Sequence, residues 1–267
     1  MTGDAAVGLD AEGYILSVPT GPLLPAYEAL VGDACARFYA GLPTLVHSIY
    51  VYGSVARGTA RMGASDLDLT IVLQQTPNAT EAAVLSRLQA ELAADHPEVT
   101  KVDFDVGTVA EVLAPASALR WGGWLKHYCR HVAGEDLSCR FPKLRPTRAL
   151  AWALNGDGLP ALLAYEQALR ASTTAAEALA LQRVIARQLL RASMVLRQDE
   201  DLAWPHALAD LVAMAQKHHP EQAGAWAYFL RQATAPHGDK SDFLVALRAY
   251  VCWLQQVLSA PQDDGAA

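Results

Sequence analysis

The chain has 267 residues, enough to bury a substantial core in one large domain or two small ones. Its 28 acidic and 21 basic side chains leave a net charge of −7, which repels a phosphate backbone at long range and sets extended nucleic acid aside as the main partner. A composition of 52% hydrophobic and 18% charged residues, with a mean hydropathy of +0.12, is that of a soluble globular protein, and no long uncharged apolar run offers a membrane span.

The first twenty residues carry acids and lack a basic stretch followed by an apolar one, so no secretory signal is expected. Four scattered cysteines (Cys35, Cys129, Cys139 and Cys252) form no C-x-x-C pair and point to free thiols in a reducing cytoplasm. Residues 13–18 read as either a short strand or an ordered arm. Leu30, Ala34 and Phe38 recur at helical spacing and predict a helix over residues 25–42, ending near Gly41. Residues 46–52, VHSIYVY, are β-branched and aromatic and stop at Gly53, which predicts a strand. A second strand is predicted over residues 67–73, closed by the Thr76-Pro77-Asn78 turn. Thr80 then reads as the N-cap of a helix to about Asp95, and a third strand is expected over residues 99–109. From Pro115 onward strand signals vanish, and alanine- and leucine-rich segments between Pro/Gly breaks predict five or six helices, with a tail from Pro261. The expected organisation is an α/β (α+β) domain with a small mixed sheet over residues 1–114, followed by an all-helical bundle over residues 115–267.

The chemistry concentrates in residues 51–73, VYGSVARGTARMGASDLDLTIVL. A strand ends at Gly53, a Gly-Ser turn follows, and a short helix begins. Unpaired N–H groups at a helix start favour anions, Gly53 permits close approach of a phosphate, and the Ser54 hydroxyl can donate to it. Asp66 and Asp68, two apart at the start of a strand, project to one face. Adjacent carboxylates on an apolar strand repel each other unless a cation joins them, and oxygen-only ligands suit Mg²⁺. A third carboxylate would complete such a site. In Lys101-Val102-Asp103-Phe104-Asp105, alternation leaves both Asp103 and Asp105 as candidates.

The sequence G-S, ten residues, then S-D-x-D-L, with V-D on a later strand, resembles the DNA polymerase β-like nucleotidyltransferase superfamily. The residues carrying the likeness are Gly53-Ser54-Val55-Ala56-Arg57-Gly58 and Ser65-Asp66-Leu67-Asp68-Leu69. It is specific across residues 46–109. The helical continuation through Gly134-Glu135-Asp136-Leu137 is more loosely similar to the aminoglycoside adenylyltransferases. The Gly-Ser to Asp gap, through Met62-Gly63-Ala64, is one residue longer than in many relatives. The resemblance implies that Asp66 and Asp68 ligate two Mg²⁺ ions, that Asp103 ligates one and helps deprotonate an acceptor hydroxyl, and that Gly53 and Ser54 hold the triphosphate.

Other residues carry weaker signals. Arg57, Ser65 and Lys126 are placed with the nucleotide-binding set, whereas Arg57 and Arg61 read equally well as surface ion-pair residues. Arg183, Arg187 and Arg191 form a basic stripe on one predicted helix, able to meet phosphate but more often a solvated face. His127 and His131 mimic a zinc pair without further ligands and are expected to be ordinary helix residues. Trp121, Trp124 and Trp204 can wall a ring-binding site, with core packing the default. Asp199-Glu200-Asp201 is expected in a solvated loop. The expected activity is Mg²⁺-dependent transfer of a nucleoside monophosphate, AMP by family habit, from ATP or another nucleoside triphosphate to a hydroxyl of a small molecule such as an aminoglycoside-like compound. The alternatives are a protein or tRNA acceptor, or a nucleotide-binding regulator without turnover.

Overall fold

The structure, a computed structural model, describes residues 7–156 and 158–259, and the tail from Pro261 lies outside the described residues. The chain divides into two compact units: Tyr14–Arg145, and the N-terminal residues to Gly13 together with those from Pro146 onward. The division thus falls at Arg145/Pro146, where sequence texture placed a boundary near Pro115.

In the first unit, α1 (Pro25–Gly41) starts on a proline and buries Leu30, Ala34 and Phe38. Strands β1 (Val46–Tyr52) and β2 (Leu67–Leu73) coincide with the predicted segments. Between them lies α2, a single turn over Gly53–Ala56. Helix α3 (Ala79–Asp95) is capped by Asn78, whose side chain accepts from the Thr80 and Glu81 N–H groups while Glu81 reaches back to the Asn78 N–H. Thr80, expected to be the cap, therefore lies inside the first turn. The reciprocal Asn-Glu box satisfies more orphan N–H groups than a lone threonine could. Strand β3 spans Val102–Thr108, shorter at its start than expected, and α4 (Val109–Leu113) follows directly.

After α5 (Ala118–Gly123) and a π-helical turn (Trp124–Tyr128), the chain makes a strand the sequence did not announce: β4 (Arg130–Gly134), antiparallel to β1. Only five residues long, with a single β-branched side chain, it carries little strand propensity of its own and is recruited by the open edge of β1. The small mixed sheet has the order β3-β2-β1-β4, with β2 and β3 parallel and the other pairs antiparallel. Ile49, Val51, Leu67, Leu69, Ile71 and Val102 pack with α1 and α3 residues on one face. On the other, Tyr50 and Val72 pack with Trp121, Leu125, Cys129 and Leu137. This second cluster is why the residues after Pro115 belong to the sheet unit. Residues 13–18 form an ordered arm, with Ile15 N–H donating to the Leu144 carbonyl and Val18 N–H to that of His127.

The second unit is helical: α6 (Arg148–Asn155), α7 (Gly158–Ala171), α8 (Ala175–Ala192), α9 (Leu208–His218), α10 (Ala223–Thr234) and α11 (Lys240–Ser259). Its core gathers Leu169, Ile185, Leu189, Trp226, Phe229, Phe243 and Tyr250. The Trp226 indole donates to the Tyr250 hydroxyl at 2.7 Å, so the ring's polar atom is satisfied inside an apolar cluster. The acidic triplet after α8 departs from expectation. Asp199 is 69% exposed, but Asp201 is buried, with His218 Nε2 3.0 Å from its carboxylate. Arg197, itself buried over the Trp204 ring, folds the loop inward by donating to the Asp201 carbonyl. No described helix is long and apolar enough to cross a membrane.

Candidate active site

The parallel register of β2 and β3 pairs Asp68 with Asp103 and Thr70 with Asp105. Parallel partners point to the same face, so Asp68 and Asp103 stand side by side at the start of both strands, while Asp105 lies one repeat deeper. Asp66 precedes β2. Its carboxylate accepts a hydrogen bond from the Thr100 hydroxyl. Thr100 N–H in turn donates to the Ser65 carbonyl, and Leu67 N–H to that of Lys101. The two chain segments are thus clipped together where the carboxylates emerge.

The glycine before Ser54 has a second reason to be there. Gly53 adopts φ +69°, a region costly to side chains, and a Cβ at that position would overlap Asp68 Oδ2 and lie 3.0 Å from its Cγ. The turn therefore sits directly against the carboxylate, so an anion cradled by the turn and a cation on Asp68 would be neighbours. The longer gap to Asp66 is absorbed by a turn at Gly63 (φ +67°), whose N–H donates to the Glu98 carbonyl at 2.8 Å. Ser65 braces the same turn, its hydroxyl accepting the Arg61 N–H at 2.9 Å. Arg57 is exposed at the end of α2.

Two residues at the site were not picked out from sequence. Lys101 places its ammonium 2.5 Å from Asp103 Oδ2 and 3.9 Å from Asp66 Oδ2. Desolvation works against its charge, but the Asp103 hydrogen bond and the field of Asp103, Asp66 and Asp68 outweigh it and raise its pKa. The signal was available: position 101 shares a strand face with 103. Tyr52, at the end of β1, pairs with Asp68 across the antiparallel register. Its phenol is pushed far above the ordinary range, first by burial and then by Asp68, Asp105 and Asp103. It stays a neutral hydroxyl beside the carboxylates. Trp124 packs edge-on to Tyr52 at 4.8 Å and stacks on Tyr128, while its indole donates to Thr70 Oγ1 at 2.9 Å.

Other candidates are placed elsewhere. Lys126 is on the π-helical turn, not in a regular helix, and its Nζ lies 3.3 Å from the Ser138 carbonyl. His127 is buried, its Nε2 accepting the Leu144 N–H, and His131 lies on β4 against Tyr50 rather than on a helix. Trp121 is a core residue of the sheet unit, and Trp204 is buried in the helical unit. Arg183, Arg187 and Arg191 lie on the exposed face of α8, where Arg187 Nε donates to the Ala233 carbonyl near the end of α10.

Among the described residues, no three acid, histidine or cysteine groups converge as a ready-made ion cage. The cation standing among the carboxylates is the Lys101 ammonium. Asp66, Asp68 and Asp103 nonetheless fit a hard divalent ion in kind, as oxygen-only donors whose shared negative charge a single ammonium offsets only in part.

Residues 33–115 match the nucleotidyltransferase domain family. No curated protein matches the chain in sequence. Among solved structures, the chain is similar to the spectinomycin adenyltransferase AAD(9) from Enterococcus faecialis, solved with ATP and spectinomycin. The TM-score is 0.56 at 10% identity, covering 85% of this chain and 98% of that one. At that identity the likeness is one of fold. Residues 33–115 thus carry a nucleotidyltransferase domain, which supports nucleotidyl transfer as the activity, on a fold the chain shares with that adenyltransferase. The domain match contains the Gly53-Ser54 turn, Asp66, Asp68, Lys101, Asp103 and Asp105.

Proposed function

We propose that the protein transfers AMP from ATP to a hydroxyl of a small molecule, with Mg²⁺ held by Asp66, Asp68 and Asp103. The observation that carries this reading is the register that sets Asp103 level with Asp68, beside a glycine turn where any Cβ would overlap the Asp68 carboxylate. Bound Mg²⁺ would neutralise phosphate charge and polarise the α-phosphorus. The chain's own residues do the rest. Gly53 and Ser54 receive the triphosphate through backbone N–H groups and a hydroxyl. Asp103 accepts the proton of the acceptor hydroxyl as its oxygen bonds to the α-phosphorus, and the bond to the β-phosphate oxygen breaks to release pyrophosphate. Tyr52, held neutral, can donate a hydrogen bond to a carboxylate or the acceptor without adding negative charge.

The AAD(9) structure, which shares this fold and was solved with ATP and spectinomycin, supports a nucleotide plus a small hydroxylated acceptor. The acidic total charge agrees, since a tRNA acceptor favours a basic surface. The free cysteines Cys35, Cys129, Cys139 and Cys252 fit a cytoplasmic setting. The test is pyrophosphate release from each of the four nucleoside triphosphates with Mg²⁺, with and without spectinomycin and related aminocyclitols. Acceptor-dependent release with ATP, absent in Asp103→Asn, is expected. Release that no acceptor stimulates, or that survives in Asp103→Asn, would overturn the reading.

A further inference from the structure

We propose that Lys101 is the resident counter-cation of the carboxylate cluster: it holds Asp66 and Asp103 together before a divalent ion binds, and it is displaced when one does. The inference rests on reading Asp66, Asp68 and Asp103 as the ligands of that ion.

The ammonium lies 2.5 Å from Asp103 Oδ2 and 3.9 Å from Asp66 Oδ2, bridging acids contributed by two different chain segments. Its backbone is fixed, because the Lys101 carbonyl accepts the Leu67 N–H at the start of β2. The neighbouring Thr100 hydroxyl holds the other oxygen of Asp66. Two consecutive residues, Thr100 and Lys101, therefore order Asp66 and Asp103. Without a cation, like charges on adjacent strands would push the carboxylates apart.

The lysine is built to leave. Its side chain is 55% exposed on a flexible four-carbon stem, and a strongly hydrated ammonium returns to water at little cost. A divalent ion and an ammonium cannot share Asp103 Oδ2 without mutual repulsion at close range. Ion binding and the lysine contact are therefore competitive. Such a site binds the free ion weakly and is protected from collapse while empty.

Mn²⁺ binding to the purified full-length chain, followed by the loss of the free-ion paramagnetic resonance signal, tests this. The set is wild type, Lys101→Met, Lys101→Gln and Lys101→Arg, each with and without a triphosphate carrying a methylene in place of the α–β bridging oxygen. Removing the charge should tighten Mn²⁺ binding about tenfold or more, while Lys101→Arg stays within about threefold of wild type. Lys101→Met should melt lower than wild type without metal and level with it in saturating Mn²⁺. Damage to a merely structural residue would weaken binding, so the sign decides. If wild type binds Mn²⁺ and both neutral variants bind it equally or more weakly, the competition idea is wrong and the metal reading stands. If no form binds Mn²⁺ even with the triphosphate, the carboxylates are not the ion's ligands and both ideas fall.

Discussion

The two faces of the sheet are made by the same three strands and could hardly differ more. On one, Ile49, Val51, Leu67, Leu69 and Ile71 are wholly buried against α1 and α3. On the other, one residue along each strand, stand Tyr52, Asp68, Thr70, Asp103 and Asp105. The apolar face is locked by packing and sets the register. The polar face inherits that register and uses it to bring together acids more than thirty residues apart in sequence. On that second face core and chemistry share one side: the acids gather where β2 and β3 begin, and Tyr50 and Val72 pack into an apolar cluster further along it. What the polar face loses in packing it regains through specific pairs, such as Trp124 on Thr70 and Lys101 on Asp103.

Substitutions at Asp103 and Asp105 probe how far the polar face depends on register. We expect Asp103→Asn to lower kcat by at least about a thousandfold while leaving much of the ATP affinity, because a base acts as the transition state forms. Asp105→Asn, opposite Thr70, should cost on the order of 10–100-fold. Parallel measurement of kcat and of nucleotide affinity by calorimetry separates them. An inactive Asp105→Asn beside an active Asp103→Asn would mean that β3 functions two residues out of the observed register.

The apolar face should respond in stability rather than rate. Leu69 is fully buried between Asp68 and Thr70, and Leu69→Ala should cost about 2–5 kcal/mol of unfolding free energy. Asp68→Asn, its neighbour on the other face, should leave the metal-free melting temperature unchanged or higher, since it relieves repulsion among the acids. Chemical denaturation of both variants makes the contrast, and a large loss of stability in Asp68→Asn would show that the two faces are not independent.

How much of this was legible follows from where the information sits. The strands at 46–52 and 67–73 were readable to the residue because alternation and flanking turns are local. Asp66 and Asp68 stood out because charges within an apolar strand need a reason. Local pattern could not choose between Asp103 and Asp105, since that choice depends on pairing with a strand thirty residues away. Strand β4 was invisible because its five residues become a strand only against β1. Lys101 was not singled out, although its place two residues before Asp103 put it on the same face. Asp201 was taken as solvated because its burial depends on Arg197 and His218, which the triplet itself does not reveal.

Gly53 is where turn and carboxylate meet, and a double-mutant cycle measures that meeting. Gly53→Ala must accommodate φ +69° and a Cβ that overlaps Asp68 Oδ2. The backbone cost is about 1–2 kcal/mol, and the overlap should add to it. Combining it with Asp68→Ala removes the overlap, so the pair should be non-additive by about 0.5–3 kcal/mol in unfolding free energy. Additive losses would mean that Gly53 is required by its backbone conformation alone.

The smallest expected effect concerns the support beneath Asp66. His96, at the end of α3, has Nε2 2.8 Å from Asp33 on α1 and Nδ1 2.9 Å from Glu98. The Glu98 carbonyl accepts the Gly63 N–H of the turn leading to Asp66, so this imidazole ties the helices of the apolar face to the loop that carries the acids. With both nitrogens on carboxylates, the ring bonds best as the imidazolium. Burial opposes that charge, but the bonds to Asp33 and Glu98 outweigh it and raise the His96 pKa, while His96 is the leading cause holding Asp33 and Glu98 below their usual range. A raised histidine pKa stabilises the fold at pH values below the ordinary histidine range and ceases to do so as pH climbs through the folded value. The lowered carboxylates contribute above their ordinary range and stop as pH falls through theirs. The cluster should therefore help most between the two ranges, near about pH 5–6. Wild type should melt a few degrees above His96→Gln at about pH 6, with the gap closing by about pH 8–9 as the imidazolium is lost. A gap that stays constant across that range would show that His96 acts by packing and hydrogen-bond shape rather than by charge.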